Sequence, residues 1–121
     1  MSMARDERVY LDDIQESIAR IHDYTKGISE KDLANNQLLL DAVIRRLLVI
    51  GEAVKRITDE TRVLAPEVPW QKIAGTRDVL VHEYKAILPE QVWTIIYHDL
   101  PILSEALVVL YKKLDEKLGN K

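Results

Sequence analysis

An all-α bundle of four to five helices is the fold class this sequence predicts, and three observations predict it. The chain is rich in Leu, Ile, Glu, Lys and Arg, with only four glycines and four prolines in 121 residues, a composition that favours helix. Its apolar residues recur at three- and four-residue steps. No segment alternates apolar and polar residues with the period of a strand. There is no internal repeat, low-complexity stretch or linker, so residues 1–121 read as a single domain.

Tyr10, Ile14, Ile18, Ile21 and Tyr24 place an amphipathic helix over about 6–26, closed by Gly27. Ser29 followed by Asp32 marks a new start, with Ser29 as cap. A long helix is expected over roughly 36–61. Leu40, Val43, Ile44, Leu47, Leu48, Ile50, Val54 and Ile57 cover more than one stripe of it, so it needs cover on two sides. A second subunit is one way to supply that cover. Gly51 inside this helix costs about 1 kcal/mol relative to alanine, which a close helix crossing would justify. Pro66 and Pro69 make "APEVPW" a loop. A shorter helix then runs from Trp70 to about Tyr84, with a break expected near Gly75. Pro89 opens the last helical region, whose stripe runs from Val92 to Leu118. Pro101 must kink or split it, and Asp99 is the expected cap of its second half. Trp70 and Trp93 read as core anchors.

Composition narrows the function. With no cysteine, a disulfide scaffold, a zinc–thiolate site and thiol catalysis are excluded, and a reducing cytoplasm fits. A formal charge of -3 is not that of a passive nucleic-acid coat. The start "MSMARDERVY" has no apolar core of a signal peptide. The longest apolar run, around "LLVIG", is interrupted by Arg45, Arg46 and Glu52, so no membrane span and no membrane partner are expected.

The chemistry concentrates in "GTRDVLVHEY", Gly75 to Tyr84. Arg77 and His82 lie five residues apart, roughly 140° and 7.5 Å on an ideal helix, so both can border one groove. Asp78 and His82 are four apart and share a face, where the carboxylate can orient the imidazole. Tyr84 falls nearly in line with Arg77. A histidine that moves a proton and a guanidinium that holds a phosphate suffice to cleave RNA, which carries its own nucleophile in the 2'-hydroxyl. One histidine is too few for both base and acid, whereas a two-fold dimer supplies two. From spacing alone the plainer reading is stronger: Arg77 as an ion-pair partner and His82 as a cation at a helix end.

The other polar residues read as structural. Glu52 reads as a solvated or ion-paired surface acid ahead of a cleft residue, and His98 as a helix-end residue ahead of a catalyst. His22 also sits at a helix end, with no function assigned. Arg45, Arg46, Lys55 and Arg56 form a basic stretch that reads as a solvated face, part of it bordering the RNA path if the chain is a nuclease. No histidine–carboxylate cluster has metal-ligand spacing and no glycine-rich loop cradles a nucleotide. The sequence therefore calls for no metal and no cofactor.

"RDVLVHEY" resembles the R-x4-H-x-Y signature of HEPN-domain proteins, specifically the HepT-like toxins of toxin–antitoxin pairs. "VIGEAVKRI" is similar to the family's second helix, "PWQKIAGTRDVLVHEY" to its central block and "VWTIIYHDLPIL" to its last helices, in order along nearly the whole chain. Where the family often has asparagine after the arginine, this chain has Asp78, an acid that works against phosphate binding. The resemblance implies a homodimeric HEPN-type bundle in which Arg77 and His82 of both chains line a metal-independent RNA-cleaving cleft. It also implies a minimal nucleotidyltransferase antitoxin that adenylylates the tyrosine matching Tyr84. The alternative is a non-catalytic helical dimer that binds a nucleotidyltransferase or a nucleotide.

Overall fold

The computed structural model describes residues 6–83, 85 and 87–119, and these are helical with no strand among them. Helix α1, Arg8–Thr25, buries Leu11, Ile14, Ser17, Ile21 and Thr25 along one stripe. It ends as expected: the Thr25 hydroxyl donates to the Ile21 carbonyl, and Gly27 takes φ +76°, a conformation that only glycine adopts freely. The short helix α2, Glu30–Ala34, starts with the Ser29 cap. The Ser29 hydroxyl accepts from the Asp32 amide, and the Asp32 carboxylate accepts from the Ser29 amide.

Helix α3, Gln37–Lys55, is capped by Asn36 and stops earlier than its apolar pattern implies. Thr58 ends the run by accepting the Thr61 amide and opening a one-turn helix α4, Asp59–Arg62. α4 is tied to the start of α1, because the Glu7 carboxylate accepts from the Thr58 amide and the Thr61 hydroxyl. The loop that follows is held by Trp70, whose buried indole N–H donates to the carbonyls of Arg62 and Ala65.

Helix α5, Trp70–His82, runs through Gly75 without the expected break. Its last reach of sequence, Tyr84, lies outside the described residues. Helix α6, Pro89–Thr94, continues through a π-helical turn, Ile95–Asp99, into α7, Leu100–Gly119. Pro101 therefore does not split the rod. It has no N–H to give, and its ring would crowd the carbonyl four residues back. The chain widens by one residue just ahead of it, with the Leu100 amide reaching Ile95 five residues back. Asp99 is no cap. Its carboxylate is buried, 3.0 Å from Lys72 Nζ and 2.9 Å from His98 Nδ1.

α3 is the central helix, with α1 along one side and α5 along the other. Both of its apolar sides are thus covered within one chain, so α3 by itself does not demand a second subunit. α7 closes the bundle against α1 and buries Leu103, Leu107, Leu110 and Leu114 in the core. The span Pro89–Gly119 is long and apolar enough to cross a membrane by length and mean hydropathy, but its leucine stripe is spent on this core. Trp93 is only half-buried and lies against Tyr97, ring centroids 4.3 Å apart.

Candidate active site

Two helices build the site where they cross. A side-chain carbon placed on Gly51 of α3 would lie 2.3 Å from Cβ of Arg77 on α5. Only glycine admits this approach, which sets the Arg77 stem on the α3 backbone and aims the guanidinium along it. Arg77 Nε and Nη2 then reach Glu52 Oε1 at 3.0 and 2.6 Å. Its Nη1 lies 3.2 Å from Asp78 Oδ1, and the same oxygen accepts from Lys55 Nζ at 2.8 Å. The result is a charge chain Glu52–Arg77–Asp78–Lys55, two residues from each helix.

The electrostatics follow these contacts. The hydrogen bonds from Arg77 hold the Glu52 carboxyl below its ordinary range, with Arg56 and Lys55 adding to the effect. Asp78 is lowered chiefly by Lys55 and then by Arg77. Arg77 in turn is held more firmly charged, chiefly by Glu52. Asp78, expected beside the imidazole of His82, is thus turned toward the two cations. Within this chain it positions Arg77.

His82 is exposed at the end of α5. The helix sets it roughly 140° around the axis from Arg77, so one chain does not converge both groups on a single atom. Around His82 the helix exposes Val79 and Val81, 38% and 45% accessible. Gly75, on the same side as His82, has only open space where a side chain would stand. Among the described residues no group of three His, Cys, Asp or Glu could hold a metal ion.

The sequence reads Glu52 as a solvated or ion-paired surface acid and Lys55 as part of a basic face; both are ion-paired, Glu52 to Arg77 and Lys55 to Asp78, and both stand in the site. The available signal was Gly51. A glycine inside a strong helix marks a crossing, and its neighbours one and four residues on then face whatever crosses.

The chain matches the family described as Ribonuclease HepT-like over residues 14–110. It is 38% identical over 102 residues to the "Probable ribonuclease HepT" of Thermococcus cleftensis, covering 84% of this chain and 93% of that protein. It is 35% identical over 106 residues to "Putative RNase MJ1380" of Methanocaldococcus jannaschii, covering 88% of this chain and 97% of that one. A third relative, "Gamma-glutamylcyclotransferase and putative RNase MJ0434" of the same organism, is 37% identical over 119 residues; the match spans 98% of this chain and 54% of that longer protein. No solved structure matches. An all-helical chain whose arginine and histidine stand five residues apart on one helix, and whose family match takes in both crossing helices, belongs to the HepT-like ribonuclease family of HEPN type.

Proposed function

We propose that this protein is the toxin of a toxin–antitoxin pair, a metal-independent endoribonuclease of the cytoplasm that works as a two-fold dimer. The observation that carries the reading is the anchoring of Arg77 at the Gly51 crossing, on the helix that presents His82 to solvent. The side of α5 that carries His82, with exposed Val79 and the bare backbone at Gly75, is the surface a second copy would cover. Two copies bring two arginines and two histidines to one cleft. One imidazole takes the proton from the ribose 2'-hydroxyl, and the freed oxygen attacks phosphorus. The bond to the 5'-oxygen breaks, and the second imidazole, protonated, supplies that oxygen's proton. The products are a 2',3'-cyclic phosphate and a 5'-hydroxyl. The Arg77 pair offsets the charge gathering on the phosphoryl oxygens. A minimal nucleotidyltransferase antitoxin would silence the cleft by adenylylating Tyr84.

The test is cleavage of a labelled RNA by the wild type, His82→Ala and Arg77→Ala, each with and without chelator. Each substitution is expected to cost about 10²-fold or more in rate, with no effect of chelator. Full activity in His82→Ala removes the histidine from the reaction, and loss of activity with chelator overturns the metal-free scheme. One observation favours a second reading, a non-catalytic dimer that binds a nucleotidyltransferase or a nucleotide: Glu52 and Asp78 already occupy the donors of Arg77. In that case neither RNA cleavage nor toxicity appears in the wild type.

A further inference from the structure

We propose that the groove between α1 and α3 is the track for a single-stranded RNA backbone, with Arg45 and Arg56 holding phosphates on either side of the one at Arg77. The inference rests on the ribonuclease reading and deepens it.

The stretch "RRLLVIGEAVKR" sets Arg45, Val49, Glu52 and Arg56 at steps of four, three and four. On a helix these fall within an arc of about 60°. In the structure they form one wall of a groove of about 400 Å³, with Tyr10 and Asp13 of α1 on the other. Most of the described arginines have spent their guanidinium groups. Arg8 holds Asp6 and Asp115, Arg20 holds Glu16, Arg46 reaches the Ser17 hydroxyl, Arg62 donates to the Val54 carbonyl and Arg77 grips Glu52. Arg45 and Arg56 are exposed, and neither forms an ion pair among the described residues. The two arginines with uncommitted heads therefore share one face of one helix.

Their place relative to the site is what gives them a role. Arg45 and Arg56 are about 16 Å apart along the α3 axis, and Gly51, where Arg77 crosses, lies between them in height but about 120° round the helix. Glu52 joins the groove to the site, lining the one and bonding Arg77 in the other. Arg77, Arg56 and Lys55 all act on that single carboxylate. An anion is therefore already favoured at the point where groove and Arg77 meet, and a phosphate carries more charge and more acceptor oxygens than the carboxylate it would displace. Tyr10 and Val49 give the groove an apolar lining against which a base can lie.

The strand must be single. Attack by the 2'-oxygen needs that oxygen in line with the departing one, and a stacked A-form duplex holds its backbone away from that alignment. A flexible strand pinned by a cation on each side can be turned into it.

The experiment is a salt titration of binding with the full chain. The ligand is a fluorescent single-stranded RNA made uncleavable by 2'-O-methylation, followed by anisotropy. Arg45→Gln and Arg56→Gln are each expected to lower the slope of log K against log salt by roughly 0.7, and the double variant by about twice that. Lys113→Gln, a surface cation on α7, should leave the slope unchanged. With cleavable RNA the double variant should raise KM while keeping kcat, the sign of lost ground-state binding. Circular dichroism and light scattering confirm fold and mass for each variant. If the double variant keeps the wild-type slope while Arg77→Gln loses affinity, the groove is not the track although the ribonuclease reading stands. If the double variant changes oligomeric mass instead of RNA affinity, the groove is an interface between copies and the proposal falls. Equal binding of a duplex of the same sequence overturns the single-strand assignment. Failure of the wild type to bind or cleave any RNA removes the ribonuclease reading itself.

Discussion

Arg77 and Gly51 touch backbone to side chain: the Cβ that Gly51 lacks would stand 2.3 Å from the Cβ of Arg77. The arginine is fixed at the root of its side chain, and only its head is free to trade one anion for another. The glycine's cost as a helix residue is the counterpart of that fixation.

Gly51→Ala is therefore expected to destabilise the fold by about 1–3 kcal/mol, although alanine is the better helix former. The helices must separate or tilt, which displaces the guanidinium from Glu52, so activity should fall with stability. Gly75→Ala meets only open space within one chain and, where no second copy presses on it, should stabilise the fold by about 0.5–1 kcal/mol. Urea unfolding of the two variants at one protein concentration checks both signs. A neutral Gly51→Ala would mean that the helices part at little cost.

Glu52 and Asp78 titrate below the ordinary values of 4.5 and 3.8, through Arg77 in the first case and Lys55 in the second. Since the folded values are the lower ones, the stability these carboxylates add is complete above the ordinary values and is lost as pH falls through the depressed ones. Wild type should melt above Glu52→Gln near neutrality, and the difference should close as pH falls below the ordinary carboxylate range. A gap that persists or widens in acid would show that Glu52 acts by packing rather than by charge.

Lys72→Met leaves the buried Asp99 carboxylate with His98 as its remaining partner. Loss of its cation should cost about 1–3 kcal/mol in denaturant unfolding, well beyond the usual effect of changing a surface lysine. A neutral result would show that water or His98 alone satisfies the carboxylate.

Tyr84 carries the regulatory part of the proposed function. Co-expression with a minimal nucleotidyltransferase should add adenylyl mass to the wild type and none to Tyr84→Phe, with cleavage by the variant largely intact. Each added phosphate would bring charge and acceptors to the proposed phosphate site, as a tethered competitor. Intact-mass spectrometry decides. Equal mass gain in the variant places the modification elsewhere.

Local signals were the readable ones. The Ser29–Asp32 cap, the stop at Gly27 and the crossing at Gly51 are each announced by a residue with a strong local preference. What escaped depends on partners far along the chain. Periodicity carried α3 past Lys55, because it cannot weigh the Thr58 hydroxyl against the next helical bond. The two-sided apolar pattern of α3 pointed to a second subunit, whereas α5 of the same chain supplies the second cover. Glu52 lies 25 residues from Arg77, and a helix read alone does not reveal which residues another helix will meet. Asp78 was placed beside His82 by helical spacing, but Lys55 of α3 competes for it and wins.

The π turn at Ile95–Asp99 fixes the length of the chain at a place that otherwise reads as plain helix. Winding the same five residues as plain α-helix would rotate everything after them by about 100°. The leucines of α7 would then leave the core. Taking one residue out as the winding tightens brings them back into phase, because a π turn is an α turn with one residue inserted. The loop between α4 and α5 is held to its length in another way, by buried Ala65 and Val68 and by the indole of Trp70 on the Ala65 carbonyl. A relative that lacks the π turn should therefore also lack one residue between positions 95 and 99, which makes this stretch a register mark for matching distant sequences to the bundle.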